Sequence, residues 1–252
     1  MRRPRRRLAS ATLLAAALTA TAPVRAEGLV ADLSEHLIAI TTAFVGTDVV
    51  LFGTSDGGAD IVVTVVGPRE NQIVRRKGQI AGIWVNRESL EFARVPSYYA
   101  VASSAPLDQI ARPDVLARHE LGVEHLRFEP VDATGLEQSQ IDAFRDALVR
   151  NKQRQDLYSR APPPVSFLGP RLFRTTLNFP ANVPPGIYQV QVFELEEGHV
   201  RDAQRSALVI SKVGLEADVF DFAQQRAPLY GLLAIVMAVS LGWLAGVIFR
   251  RG

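Results

Sequence analysis

The chain has 252 residues with 28 basic and 26 acidic side chains, and it contains no cysteine. The lack of cysteine excludes a disulfide framework, a thiol nucleophile, an iron–sulfur site and cysteine-ligated zinc. Six arginines lie within residues 1–26 and two more lie at positions 250 and 251, which leaves 20 basic residues against 26 acidic ones in between. This central segment has a net charge of about −6, so a nucleic-acid-binding protein is disfavoured.

The first 26 residues are typical of a cleavable signal peptide. Arginines at positions 2, 3, 5, 6 and 7 precede an uncharged stretch over residues 8–22 that is rich in alanine and leucine. As a helix this stretch rises only about 22 Å, which is too short for a hydrocarbon core of about 30 Å. Val24 and Ala26 occupy the positions that a signal peptidase reads. We therefore predict a signal peptide over residues 1–26, with an uncleaved anchor as the alternative.

Residues 27–105 have the pattern of a β-rich unit. Runs rich in β-branched and aromatic residues predict short strands at 36–41, 48–53, 60–67, 82–86 and 98–103. Glycine, proline and charged residues between these runs predict turns at 55–58, 67–68 and 76–78. Several short strands at near-regular spacing favour a β-sandwich.

Residues 106–161 form a helical insertion in this prediction. A helix is expected over 136–159, with Thr134 and Glu137 as a capping box at its start. Ile141, Phe144 and Leu148 fall on one face of that helix, and the prolines at 162–164 end it.

The β pattern returns over residues 162–214, with strands predicted at 172–179, 187–193 and 206–212. The Pro-Pro-Gly-Ile-Tyr-Gln-Val-Gln-Val run over 184–192 resembles the penultimate strand of many immunoglobulin-like domains. We predict a mainly β fold, an immunoglobulin-like β-sandwich interrupted by the helical insertion. Two small β-units that flank the insertion are the alternative.

A single C-terminal transmembrane helix is predicted over 229–249, after a juxtamembrane linker over 215–228. These 21 residues carry no charge, and at 1.5 Å per residue they span the hydrocarbon core. Tyr230 is placed as an interfacial aromatic anchor, while Arg250 and Arg251 in the tail over 250–252 favour a cytoplasmic C-terminus. We expect an inner-membrane, single-pass protein with a periplasmic domain; a buried core helix is the alternative.

Small residues recur every four positions along this span, at Ala234, Ala238, Gly242 and Gly246. Such spacing forms a groove on which a second helix packs closely in lipid. The partner is expected to be a second copy or a multi-pass membrane protein. The alternative is that alanine and glycine are simply common in membrane spans.

Three stretches carry a resemblance to a known family: residues 42–53, residues 182–193, and the membrane span with Tyr230-Gly231 and Gly242-Trp243. The chain resembles the family of alphaproteobacterial transmembrane proteins of about this length, to which no activity is assigned. The resemblance implies the topology described above and no catalytic residues. It also implies a functional link to sulfite-exporter-like permeases.

No residue pattern indicates catalysis, a cofactor or a metal ion. Walker, Gly-x-Ser-x-Gly, His-Glu-x-x-His and dinucleotide fingerprints are lacking from the sequence. His119 and His125, with Glu120 and Glu124 between them, are six apart, which is a poor spacing for one helix face. The acidic 56–60 segment favours a hairpin loop over a calcium site, and the basic 75–77 segment favours a solvated hairpin tip.

These observations favour a non-enzymatic, membrane-anchored periplasmic accessory protein that docks a partner in or beside the bilayer. A solute-binding or sensor module, with a pocket between the sandwich and the insertion, is the alternative. A hydrolase with a serine or carboxylate site that no sequence motif reveals is a third hypothesis. Trp84, Tyr98 and Tyr99 are expected in the core, and they form a partner surface only if they are exposed.

Overall fold

The computed structural model describes residues 28–80, 82–213 and 227–249. The predicted signal peptide, most of the predicted linker and the arginines at 250 and 251 lie outside these residues. The described part contains twelve strands: β1 (Val30–Leu33), β2 (Leu37–Ile40), β3 (Gly46–Thr54), β4 (Asp60–Val66), β5 (Arg69–Ile80), β6 (Ile83–Pro96), β7 (Tyr99–Ser103), β8 (Glu129–Pro130), β9 (Ser166–Phe167), β10 (Leu172–Pro180), β11 (Gly186–Glu196) and β12 (His199–Lys212).

Two sheets contain most of these strands. The first has the order β1-β3-β10-β9 and is antiparallel throughout. The second has the order β2-β12-β11-β4-β7, in which only the β2–β12 pair is parallel. Because β3 pairs with β10 and β4 pairs with β11, the β regions before and after the insertion fold into common sheets. The mainly β prediction is therefore confirmed.

The two sheets share one hydrophobic core. Along β10 every second residue is buried, as period-2 side-chain alternation requires. Phe179 on this strand stacks on Tyr98 with ring centroids 5.2 Å apart and meets Tyr188 of the other sheet edge-on. Tyr98 and its neighbour Tyr99 are both buried, so they form no exposed partner surface. The side chain of Trp84 is outside the described part.

A third sheet, with the order β5-β6-β8, is built on a long hairpin of which the sequence pattern predicts only the 82–86 part and a tip at 75–77. The chain reverses between Ile80 and Ile83, so the predicted turn at 76–78 is wrong. Residues 76–78 instead pair with β6 across a register shift at Arg76 and Lys77. Their sequence resembles a turn because Arg75, Arg76 and Lys77 are consecutive charged residues that are all exposed, on both faces of the strand.

The insertion contains three helices, α1 (Leu107–Ile110), α2 (Pro113–His119) and α3 (Gln138–Arg154), and a 3-10 turn at Val123–His125. The α3 helix is shorter than predicted, and its capping box consists of Glu137 and Gln140 rather than Thr134 and Glu137. The Glu137 side chain accepts from the Gln140 backbone N–H, and the Gln140 side chain accepts from the Glu137 backbone N–H. Two N–H donors at the helix start are thereby satisfied.

The insertion contacts two surfaces of the β domain. Phe144 and Leu148 of α3 pack on Val74, Leu90 and Phe92 of the β5–β6 hairpin. The α1–α2 segment joins the main core, where the Tyr99 hydroxyl donates to the Glu120 carbonyl at 2.6 Å and accepts from the Gly122 N–H at 2.8 Å. This part of the insertion therefore covers the outward-facing side chains of β7.

The helix α4 (Ala227–Phe249) confirms the predicted apolar C-terminal helix. A 20-residue segment, Ala227–Gly246, has a mean hydropathy of 1.9 and is long and apolar enough to cross a membrane. The most apolar 18 residues of this segment are not buried against the rest of the described chain. The structure therefore does not show the alternative, a buried core helix.

Candidate functional site

The small residues of α4 form an uncovered strip on a continuous helix. Gly242 and Gly246 are one turn apart on one face, as are Ala234 and Ala238. No atom of the described chain lies within 4 Å of a Cβ built on Gly242 or Gly246. The geometry leaves room for a second helix to approach the backbone there, while the identity of that helix remains a prediction.

The hydroxyl of Ser240, within the span, is hydrogen-bonded inside the helix. The Ser240 hydroxyl donates to the Val236 carbonyl at 2.7 Å, and the Met237 carbonyl is 3.1 Å away. Such back-bonding satisfies a hydroxyl in a segment without water. A partner helix is thus expected to pack through shape rather than through Ser240. Tyr230 is in the first turn of α4, consistent with its predicted interfacial position.

His119 and Glu120 of the insertion each contact the β domain through a different partner. The His119 ring meets Phe193 edge-on at 5.5 Å, and burial there lowers the pKa of the imidazole, with the Arg118 charge as a second cause. Glu120 ends α2 in the left-handed conformation, and its carboxylate accepts from Arg69 at 2.8 Å. No group of three His, Asp or Glu side chains in the described ranges is arranged to hold a metal ion.

The 55–58 loop is held by charges rather than open to a cation. The Asp56 carboxylate is 3.1 Å from Arg171 and 3.2 Å from Arg201. The Asp56 N–H donates to the buried Glu194 carboxylate at 3.2 Å. Burial raises the pKa of Glu194, while this backbone hydrogen bond and the Arg201 charge oppose the rise. The predicted loop is therefore closed by strands β11 and β12.

A buried lysine is the polar feature that sequence reasoning missed. Lys152 Nζ lies 3.4 Å from the Ser97 carbonyl oxygen and 3.7 Å from a Glu70 carboxylate oxygen. Burial lowers the pKa of Lys152, and the nearby Glu70 charge opposes that shift. Lys152 follows Phe144 and Leu148 at four-residue spacing, so helical periodicity places it on the buried face.

The Lys152 site brings a serine near a lysine, an arrangement that some hydrolases use. Ser97 is 1 % exposed, and its hydroxyl has no hydrogen-bond partner among the described residues. The lysine contacts the Ser97 backbone carbonyl rather than activating the hydroxyl. Through its contacts with Glu70 and Ser97, Lys152 joins α3 to β5 and to the connection between β6 and β7.

Two open depressions lie on the surface of the domain. One, of about 370 Å³, lies between β5 and α3 and is lined by Arg75, Arg76, Asp146 and Arg150. The other, of about 590 Å³, lies beside Asp48 and Asp156. The alternative prediction places a ligand pocket between the sandwich and the insertion. Where α1 and α2 meet the sheet, buried apolar side chains are packed against one another.

Comparison with known proteins places the chain in one family. A search of curated proteins and a search of solved structures each found no match. A family model described as "Putative transmembrane protein (Alph_Pro_TM)" matches residues 28–251, which include both β regions, the insertion and α4. With this coverage, and with a helix able to cross a membrane, the chain belongs to this alphaproteobacterial family of transmembrane proteins.

Proposed function

We propose that this chain is a membrane-anchored accessory protein that acts by binding a partner within or beside the bilayer. The observation that supports it is the continuous apolar α4 with its uncovered Gly242–Gly246 pair. In lipid, helices associate through close packing at small residues because burial of apolar surface gives little driving force there. A multi-pass permease of the sulfite-exporter kind is the partner that we propose; a second copy is the competing one.

The domain outside the membrane is an immunoglobulin-like sandwich in this proposal. The strand orders support this assignment: β1-β3-β10-β9 can be matched to strands A-B-E-D of such a sandwich, and the neighbours β12, β11 and β4 to its strands G, F and C. The Tyr188 hydroxyl donates to the Pro184 carbonyl at 2.6 Å, four residues upstream on the approach to β11. This bond matches the tyrosine corner of such domains.

We further propose an inner-membrane protein with a periplasmic domain and a cytoplasmic C-terminus. Arg250 and Arg251 directly follow the span, and basic residues next to a span stay on the cytoplasmic side. The arginine-rich N-terminal 26 residues support export of the domain as a signal peptide.

Binding rather than catalysis is supported by how the buried polar groups are used. Lys152 bonds a backbone carbonyl, and Glu194 accepts from the Asp56 N–H. The tyrosine hydroxyls of Tyr99 and Tyr158 likewise bond backbone groups. Each of these groups stabilises the fold at a junction between elements, which is a structural use of polarity.

Affinity purification of the C-terminally tagged chain from mild-detergent membranes tests the accessory function. The double variant Gly242→Leu/Gly246→Leu fills the groove, so it is expected to lose a partner that packs there. Ser240→Leu is the matched control because it adds the same side chain about 160° around the helix from Gly242.

A multi-pass permease recovered in near-equal amount with the wild type and Ser240→Leu, and lost with the double variant, supports the proposal. Equal recovery of partners with both variants contradicts a role for the groove. Recovery of differently tagged copies of the chain alone assigns the groove to self-association and contradicts the permease.

A second candidate function is binding of a small anion in the depression between β5 and α3. Arg75, Arg76 and Arg150 line it together with one carboxylate, Asp146. Guanidinium groups suit oxyanions because their planar donors form paired hydrogen bonds. Arg76 is partly committed, since it lies 3.2 Å from Glu88 and over the Phe144 ring.

Calorimetric titration of the full chain in detergent with sulfate and with phosphate tests this candidate. Binding that is lost in Arg150→Gln but kept in Arg174→Gln, an exposed arginine on β10, favours it. Absence of binding by the wild type, or equal loss in both variants, contradicts a specific anion site.

A further inference from the structure

We infer that one end of the β domain contacts the lipid bilayer surface directly, through the loops beside the point where the chain leaves for the membrane. Three segments form this end: the 41–46 loop, the 180–187 loop and the last residues of β12. We call them the membrane-proximal end. The inference concerns how the domain sits on lipid, and it stands independently of which partner α4 binds.

The topology brings these three segments together. Ile40 and Lys212 are opposite each other in the parallel β2–β12 pair, and the Val213 N–H donates to the Ile40 carbonyl at 3.0 Å. The chain after Ile40 therefore leaves the sheet beside the C-terminal end of β12. Gly186 is opposite Ile210 on the other side of β12, which places the start of β11 at the same end.

The first sheet contributes the other halves of the same two loops. Gly46 at the start of β3 is opposite Pro180 at the end of β10. The 41–45 segment thus crosses from β2 to β3, and the 181–185 segment crosses from β10 to β11, both over one end of the core.

Apart from Lys212, the three segments themselves lack charge, although Asp156 lines the same depression as Val45 and is 3.6 Å from Arg160. Residues 37–47, 179–193 and 206–211 contain no Asp, Glu, Lys or Arg, although 21 % of the chain is charged. Lys212 lies at the exit and is followed in the linker sequence by Glu216, Asp218 and Asp221, while Asp48 of β3 accepts from the Asn178 side-chain amide at 2.7 Å. Uncharged loops next to one lysine suit a lipid headgroup layer, which solvates amides and attracts cations.

Apolar side chains protrude from this end. Val45 is 87 % exposed and Ile187 is 66 % exposed, and Val213 is exposed where β12 ends. Val45 stands in a loop and Val213 directly follows β12, whereas Ile187 is on the outer face of the second sheet, opposite the exposed Val209. Insertion of protruding aliphatic side chains into the interface between headgroups and acyl chains is favourable because it removes apolar surface from water. A stable protein partner instead needs a continuous complementary surface of about 800 Å².

The covalent connection selects the bilayer as the occupant. Only residues 214–226 separate Val213 from the start of the membrane helix at Ala227. Even fully extended, this length reaches about 50 Å, which sets the upper limit on the distance between Val213 and the start of the membrane helix. Because the linker keeps the domain near the bilayer, the effective concentration of lipid at this end is high, and weak apolar contacts are sufficient for binding.

The chain has no native cysteine, which allows single-cysteine labelling of the full-length protein. An environment-sensitive fluorophore is placed at Val45→Cys, at Ile187→Cys and, as the matched control, at Val30→Cys. Val30 is 62 % exposed, and its partner Thr54 ends β3, at the opposite end of the sheet. Each labelled chain is reconstituted at one copy per nanodisc of phosphatidylethanolamine and phosphatidylglycerol. The nanodiscs also contain a lipid whose spin-labelled headgroup quenches the fluorophore.

We expect quenching at positions 45 and 187 to be several times that at position 30. Equal quenching at all three positions overturns the inference. To exclude an effect of the dye itself, the label is moved to Ala43→Cys, where Ile187→Glu is expected to reduce quenching and Ile187→Leu to preserve it. Quenching that is unchanged by Ile187→Glu also overturns it.

Contact with a second copy is distinguished in the same samples. If labels at position 45 show dye–dye contact in two-copy discs and no lipid quenching in one-copy discs, the membrane-proximal end is a protein interface and the bilayer contact is refuted. Co-purification of a partner through α4 is unaffected by either result, so failure here and failure of the accessory function are separable.

Discussion

The ammonium group of Lys152 lies 3.7 Å from a carboxylate oxygen of Glu70, although Lys152 is buried and Glu70 is half-exposed. The pair joins α3 to β5 beside the apolar contacts that Phe144 and Leu148 make with the β5–β6 hairpin. Burying the lysine costs free energy that a solvent-screened partner offsets only in part.

The first prediction separates the charge of Lys152 from its aliphatic stem. Lys152→Met keeps most of the volume and removes the buried charge, so we expect the free energy of unfolding to stay within about 1 kcal/mol of wild type. Lys152→Ala also removes the stem, and we expect a loss of about 2 kcal/mol. Urea unfolding of the full chain in detergent, followed by circular dichroism, measures both; equal losses would mean that the charge itself stabilises the fold.

Lys152 also gives a pH dependence with a definite sign. Because its pKa is lowered in the fold, the unfolded chain binds more protons between the folded pKa and the ordinary value near 10.5. We expect the free energy of unfolding contributed by Lys152 to rise with pH across that window. The rise should vanish in Lys152→Met and persist in Lys212→Met, whose lysine is exposed.

Glu194 predicts the opposite slope at lower pH. Burial raises its pKa above the ordinary value near 4.5, so the folded chain binds more protons than the unfolded chain between those two values. The free energy of unfolding should therefore fall as pH rises through that window. Glu194→Gln keeps an acceptor for the Asp56 N–H and should remove the fall, whereas Glu197→Gln, at an exposed turn, should keep it. A fall that persists in Glu194→Gln contradicts the assignment.

The hydroxyl of Tyr188 gives a fourth prediction. Tyr188→Phe keeps the ring against Tyr98 and Phe179 but removes the donor to the Pro184 carbonyl. We expect a loss of about 1 kcal/mol from the free energy of unfolding, the usual net value of one hydrogen bond. Tyr188→Leu should lose more, since the aromatic contacts go as well. Tyr188→Phe with wild-type stability would show that this corner is not stabilised by its hydroxyl.

Gly53 tests how closely β1 approaches β3. A Cβ at this position would meet the Val30 carbonyl oxygen and the Ala31 Cα, both of them backbone atoms that cannot rotate away. We expect Gly53→Ala to cost about 2 kcal/mol, as for overpacked sites. Gly28→Ala is the control, because its Cβ would lie 3.9 Å from the nearest atom, the Asp202 Oδ2. The difference in midpoint urea concentration between the two variants measures the effect.

The insertion shows where sequence patterns stop being informative. The stripe formed by Ile141, Phe144 and Leu148 indicates the α3 helix because its period is local. Most of the β5–β6 hairpin is missed because residues 75–77 and 85–89 are exposed on both faces, and only Val74, Leu90, Phe92 and Val95 are buried in the cluster with α3. Its apolar residues have meaning only once their partner helix is in place.

The sequence by itself determined the membrane helix, the mainly β character and the small-residue strip of α4, because each is set by neighbours within one turn or one strand. Only the tertiary structure decided that β3 pairs with β10 across the insertion and that Lys152 is buried. It also decided that the 41–46 and 180–187 loops meet beside Val213. Long-range pairing and burial depend on partners distant in the chain, and no local period encodes them.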